Sequence, residues 1–157
     1  MNNKEIAGII WQDPRARRVF RGVFPRDRLP RKKGLDTRRQ SAYIVNTDRS
    51  VGPGEHWVCV WFDGKGHAEY FDSFGLPPLF ASINNLIDRN SYYPLKYNQR
   101  LFQSLTSSVC GLYVLYYVLM KSRGATLGRI QQMFQTNDLF GNDNRVRSLV
   151  TQLTRRR

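Results

Sequence analysis

The stretch Leu112-Tyr113-Val114-Leu115-Tyr116-Tyr117-Val118-Leu119-Met120 constrains this chain more than any other. A helix built from it carries apolar or aromatic side chains on every side. It has no face to give to water, so the rest of the chain has to cover it. It is too short to span a bilayer, which takes about 20 apolar residues, and no other run reaches that length, so no membrane partner is expected. A chain of 157 residues is long enough to supply the cover, and a single domain over residues 1–157 is expected. Cys110-Gly111 stands directly before the apolar run. A cysteine in the first turn of a buried helix has two readings. It is a small core residue, as many cysteines are, or it is a nucleophile, because the helix N-terminus stabilises a thiolate through its unpaired N–H groups. In the second reading Gly111 leaves room for a substrate backbone beside the sulfur.

A nucleophilic thiol needs a base, and the chain has two histidines. His56 opens the run His56-Trp57-Val58-Cys59-Val60-Trp61-Phe62, rich in β-branched and aromatic residues and entered through Pro53-Gly54, which predicts a strand. Alternation puts His56, Val58, Val60 and Phe62 on one face and Trp57, Cys59 and Trp61 on the other. Asp63-Gly64-Lys65-Gly66 turns the chain, and His67 to Asp72 forms the returning strand of a hairpin. Asp72 then falls at the same end as His56, where its carboxylate can orient the imidazole. His67 follows the turn glycines and is expected in solvent. Cys59, mid-strand among apolar residues, is expected in the core. Gln103, seven residues before Cys110, offers a side-chain amide that could join the Cys110 N–H in stabilising an oxyanion; alone it is an ordinary loop glutamine.

Elsewhere the pattern predicts a helix over about 3–12 with Ile6, Ile9 and Ile10 on one face, then an arginine-rich connector. A strand is expected near 42–47 and another near 94–99. Pro77-Pro78 starts a helix over 79–89, Gly124 ends the Cys110 helix, and two helices near 126–135 and 143–155 close the chain. The fold class is α+β: a central mixed sheet packed against the buried Cys110 helix.

Taken together, the residues resemble the adenovirus maturation protease family (adenain), within the clan that includes proteases of SUMO and ubiquitin-like modifiers. Ala42-Tyr43-Ile44-Val45-Asn46-Thr47 with Gly54-Glu55-His56-Trp57 resembles the strand leading to that family's catalytic His-Trp. Tyr70-Phe71-Asp72-Ser73-Phe74-Gly75 resembles its acid strand. Gln103-Ser104 and Ser108-Val109-Cys110-Gly111-Leu112 resemble its oxyanion and nucleophile segments. Asn3 to Ile10 and Phe24 to Pro30 are weaker echoes. The resemblance implies a papain-like arrangement with Cys110 as nucleophile, His56 as base, Asp72 as its orienter and Gln103 as oxyanion donor. It also implies that Trp57 helps form a narrow channel for small residues and so binds substrate; the competing reading, from its strand parity, is a core position. The implied function is that of a cysteine endopeptidase of a DNA virus or virus-derived element, cleaving capsid and core precursors next to glycine in the virion and host nucleus. A modifier protease and a non-enzymatic DNA-binding protein are the alternatives.

Charge is the second informative feature. The formal net is +13, and Arg15, Arg17, Arg18, Arg21, Arg26, Arg28, Arg31, Lys32, Lys33, Arg38 and Arg39 face only Asp27 and Asp36 in their segment. Arg155, Arg156 and Arg157 follow at the end. Arginine pairs with phosphate in a fork geometry, so the expected partner is a nucleic-acid backbone, read without regard to sequence. The resemblance adds DNA as an activating cofactor, and no metal or organic cofactor is expected. Adenain is also activated by a peptide joined through a disulfide. The corresponding region here, Ser91-Tyr92-Tyr93-Pro94, holds no cysteine, so a disulfide-linked activator is not expected and a non-covalent one stays open. Two cysteines make no disulfide framework, and Met1 to Glu5 has no secretory pattern, so a reducing intracellular compartment is expected.

Overall fold

A computed structural model of the chain describes residues 1–31 and 38–155. Its centre is the helix that the apolar run predicts, α4 at Cys110–Lys121, preceded by α1 (Asn3–Gln12), α2 (Ala16–Val19) and α3 (Ala81–Asn90) and followed by α5 (Leu127–Gln131) and α6 (Leu139–Arg155). The strands are β1 (Phe20–Pro25), β2 (Ser41–Asn46), β3 (Trp57–Phe62), β4 (Ala68–Phe71) and β5 (Lys96–Tyr97). They lie in the order β1-β2-β3-β4-β5. The β1/β2 and β4/β5 pairs are parallel, and the two central pairs are antiparallel. The sheet is therefore mixed, as expected.

Alternation along β3 sorts the core into two layers. Cys59 and Trp61 face α4, together with Ala42, Ile44 and Phe71 from the neighbouring strands. Val58, Val60 and Phe62 face the other way and pack with Tyr43, Val45 and Tyr70 on Ile83, Leu86 and Ile87 of α3. The rest of α4 is covered by Ile6 and Ile10 of α1, Ala16 and Val19 of α2, Ile130 of α5, and Val146 and Val150 of α6. Tyr113, Val114, Leu115, Tyr117, Val118 and Leu119 are all fully enclosed. No helix among the described residues is long and apolar enough to cross a membrane.

Several boundaries differ from expectation. The arginine-rich connector is partly structured: Ala16, Val19 and Phe20 enter the core, and β1 extends the sheet beside β2. Its register shifts between Phe20 and Gly22, where Gly22 takes φ 137°, and Pro25 closes the strand. A proline is tolerated there because β1 is an edge strand. The helix after Pro77-Pro78 starts at Ala81, since Phe80 is still extended. The strand expected over 94–99 shrinks to Lys96–Tyr97. The helix expected over 126–135 ends at Gln131, yet Phe134 beyond it is buried against Tyr113, Tyr116 and Phe102. The last helix begins at Leu139 because Asp138 caps it, accepting the Gly141 N–H at 2.9 Å. Gly124 ends the turn after α4 with φ 87°, a conformation that favours glycine.

Candidate active site

His56, Asp72 and Cys110 meet where β3, β4 and the start of α4 come together. Cys110 is the first residue of α4, and no side chain caps that helix end. Its own N–H is one of the four that an α-helix leaves without an intrahelical partner. His56 lies just before β3 and is pinned through its carbonyl, which accepts the Thr47 N–H at 2.8 Å. Because the strand starts one residue later, the alternation does not extend to His56. The imidazole therefore reaches Cys110 while Trp57, Cys59 and Trp61 also face the α4 side.

Asp72 follows the last residue of β4. Its Oδ1 lies 2.7 Å from His56 Nε2 and also accepts the Phe74 N–H at 2.8 Å. With Nε2 committed to Asp72, Nδ1 is the nitrogen that faces the sulfur. Phe74 stacks on the imidazole with ring centroids 4.7 Å apart and fixes its plane. Asn98, fully buried, holds the backbone of Asp72 from both sides: its Oδ1 accepts the Asp72 N–H at 2.9 Å and its Nδ2 donates to the Asp72 carbonyl. Gly75 closes the turn at φ 73°, where a Cβ would strike the Arg100 carbonyl at 2.6 Å.

Burial opposes charge on both His56 and Cys110, and hydrogen bonds overcome it. Burial lowers the His56 pKa, but Asp72 and Cys110 raise it from 6.5 to about 9. Burial raises the Cys110 thiol, but the bond to His56 and the backbone N–H groups of Trp57 and Gly111 hold it below its ordinary value. The contacts between the two side chains thus favour their charged forms, thiolate and imidazolium, over the neutral ones. Cys59 differs in every respect: it is fully enclosed, and burial, with Glu69, pushes its thiol up.

Gln103 is buried in the loop leading to α4. Its Nε2 donates to the Ser107 carbonyl at 2.9 Å, and its Oε1 accepts the Ser73 hydroxyl at 2.6 Å. The loop is braced from behind. Asp143 of α6 lies with its Oδ1 2.9 Å from the Tyr113 hydroxyl and 3.4 Å from the Ser104 nitrogen. Asn142 donates to the Phe102 carbonyl at 3.1 Å.

Trp57 is half-buried. Its indole N–H donates to Asn3 Oδ1 at 2.7 Å, and an open groove of about 430 Å³ runs from it between Met1–Lys4 and the loop at Gly52-Pro53-Gly54. Gly111 turns out to face α1: a Cβ there would lie 3.0 Å from Met1 Sδ and 3.3 Å from Ile6 Cδ1. The room that the glycine leaves is filled by Met1 and by Ile6 of α1, which corrects the expectation of a substrate backbone at that spot.

Among the described residues, the arginines line two separate clefts. Arg15, Arg18, Arg39 and Arg123 line an open cleft of about 700 Å³ near α2, and Arg17 is exposed beside it. Arg123 is committed to Asp13 at 2.7 Å. Beyond the other end of β1, Arg26, Arg31 and Arg89 line a smaller cleft with Asp27. Arg26 is stacked on Phe80, and Arg21 bonds the Arg18 and Gln40 carbonyls, so both are partly occupied within the fold. Arg28, Arg38 and Arg155 are exposed. Lys32, Lys33, Arg156 and Arg157 lie outside the described residues. His67 is half-exposed and bonded to Asp63 at 2.9 Å.

Ser73, Asn98, Phe74, Asn3 and Asp143 were not singled out in the sequence. Ser73 and Phe74 stand in the sequence only as members of the acid-strand motif and Asn3 only as the start of a weaker echo, and nothing in the sequence pattern marks Asn98 or Asp143.

The chain matches no protein-family model. It is 30% identical over 86 residues to the Cysteine protease S273R of African swine fever virus (isolate Tick/Malawi/Lil 20-1/1983), a match covering 48% of this chain and 31% of that protein. The matched stretch thus takes in under a third of the relative's length. Among solved structures, the crystal structure of the same virus's pS273R protease superposes with a TM-score of 0.52 at 17% identity, covering 79% of this chain and 59% of that one. The SUMO protease Ulp1 superposes with a TM-score of 0.43 at 20% identity, covering 76% and 55%. The mixed sheet with its buried helix is therefore the fold found in the swine fever virus protease.

Proposed function

We propose that this chain is a cysteine endopeptidase in which Cys110 is the nucleophile, His56 the general base and acid, Asp72 its orienter and Gln103 an oxyanion donor. The observation that carries this is the bond between Cys110, at the open N-terminus of α4, and an imidazole held at 2.7 Å by a buried aspartate. In the reaction the Cys110 thiolate adds to the scissile carbonyl carbon, and the electron pair moves to its oxygen. The Cys110 N–H and the second hydrogen of the Gln103 amide stabilise that oxygen, the first being used by Ser107. As the carbonyl re-forms, the C–N bond breaks and His56 gives its proton to the leaving amine. Water, deprotonated by His56, then releases the acyl group from sulfur.

The groove beside Trp57 suits an extended peptide, and the flat indole at its end favours glycine next to the scissile bond. The finer reading is a maturation protease of a DNA virus or virus-derived element, similar to adenain in its order of residues, acting on precursor proteins in the virion and host nucleus. The viral relative named a cysteine protease supports it. So do the exposed arginines around α2, which suit a DNA backbone as a track or activating cofactor. An activating peptide, if one is used, binds without a disulfide, since Cys59 is enclosed.

The test is cleavage of a glycine-containing peptide library side by side with SUMO and ubiquitin conjugates, with and without duplex DNA. Wild type is expected to cleave peptides next to glycine, and Cys110→Ala to cleave nothing. Full activity in Cys110→Ala would falsify the assignment, and cleavage confined to the conjugates would replace the maturation reading with a modifier protease.

A further inference from the structure

Asp72 and Ser73 are neighbours in sequence, yet their side chains serve different halves of the site. Asp72 bonds His56, and Ser73 bonds Gln103. A side-chain amide presents oxygen at one end and nitrogen at the other, and the two ends are nearly the same size. Turned the wrong way, Gln103 would aim an acceptor at a developing oxyanion and repel it. Its orientation is fixed by its two partners. The Ser107 carbonyl can only accept, so it takes Nε2. The Ser73 hydroxyl, 2.6 Å from Oε1, must then donate.

We propose that Ser73 is the positioning residue for the oxyanion donor: its hydroxyl locks the Gln103 amide with the nitrogen toward the reacting carbonyl. The proposal rests on the protease reading above. Ser73 is 0% and Gln103 1% exposed, so no solvent molecule takes over when the hydroxyl is removed. The Ser73 carbonyl also accepts the N–H groups of Phe102, at 2.9 Å, and Gln103, at 3.2 Å. Backbone and hydroxyl thus grip the same residue, and the turn that sets the acid also sets the oxyanion loop.

Four proteins decide the matter: wild type, Ser73→Ala, Gln103→Ala and the double variant. Each is assayed with the best-cleaved glycine-containing peptide and, separately, for the rate at which iodoacetamide alkylates Cys110. Alkylation forms no oxyanion, so it reports the thiolate and the fold without the Gln103 amide. Gln103→Ala is expected to lower kcat by about 10²–10³-fold. Ser73→Ala is expected to lower it by roughly 10–100-fold, with KM within about twofold and Cys110 alkylation unchanged, since a misaligned donor loses part of what a missing one loses. The double variant should be no slower than Gln103→Ala, because the hydroxyl acts only through that amide.

Full turnover in Ser73→Ala overturns the proposal, and so does a double variant whose loss is the product of the two single losses. If Cys59 becomes reactive in Ser73→Ala, the core has opened and Ser73→Cys decides instead. Its weaker donor should cut kcat several-fold with Cys59 closed, and wild-type turnover there overturns the proposal. A wild type that alkylates quickly at Cys110 but cleaves no peptide defeats the protease reading itself, and the Ser73 role with it.

Discussion

Replacing Asp72 with asparagine isolates the charge that sets the protonation of the site. Asparagine keeps the shape and an oxygen for the His56 Nε2–H, and removes only the negative charge. In the wild type His56 is raised from 6.5 to about 9, which corresponds to about 3 kcal/mol in favour of the imidazolium. Burial alone would lower it, so the partners supply more than the whole of that preference. A contacting carboxylate typically moves a neighbour by about 1–3 pH units. With Asp72 neutral, only the Cys110 thiolate supports the imidazolium against burial. The alkaline limb of kcat/KM should then fall from about 9 to roughly 7.

The sign on the acid side is opposite. The Cys110 thiol is held down by its bond to His56, so a weaker imidazolium lets it rise, and the acid limb moves up. The working window narrows from both sides. The assay is the pH dependence of kcat/KM together with that of Cys110 alkylation, measured in both proteins. An unchanged alkaline limb in Asp72→Asn would refute the idea that the carboxylate holds the imidazole charged. The same interaction makes folding depend on pH. His56 has a raised folded pKa, so its contribution to stability is fully present below 6.5 and is lost as pH rises through about 9.

Three further outcomes follow from the packing and charge. Gly111→Ala presses a methyl against Met1 and the fully buried Ile6, and should lower stability by about 1–3 kcal/mol in urea melts; trimming Met1 to alanine should return part of the loss. Asn3→Ala frees the Trp57 indole N–H and should widen the residues accepted next to the scissile bond, as read by peptide profiling, at a cost of about 1 kcal/mol in stability. Replacing Arg15, Arg18 and Arg39 with alanine should flatten the log–log salt dependence of duplex binding by about 0.9 for each phosphate no longer neutralised, while cleavage of a free peptide without DNA stays as it was. Binding that ignores salt would leave these arginines without a phosphate role.

The parts of this molecule that could be read from its sequence are those in which residue type carries the information. α4 announced itself because its apolar residues go all the way round, and the β3 hairpin because alternation split Cys59 and Trp61 from Val58, Val60 and Phe62. The chemical residues stood out because a thiol, an imidazole and a carboxylate are few and not interchangeable. β1 was hidden because Arg21 and Gly22 interrupt its apolar residues and the register shift between Phe20 and Gly22 breaks their alternation. The supporting bonds were hidden for a deeper reason. Thr47 holds His56 through an N–H, and the Ser73 carbonyl holds Phe102 and Gln103. Asn98 grips both backbone groups of Asp72, and Asp143 reaches the Ser104 nitrogen. Each clamp ends on a backbone group, and every residue other than proline carries the same donor and acceptor. A reactive group constrains the residue at its own position, whereas a backbone clamp constrains only the distance between two segments. That distance is fixed by the sheet order and by the layers on either side of it, so it becomes visible only once the chain is folded.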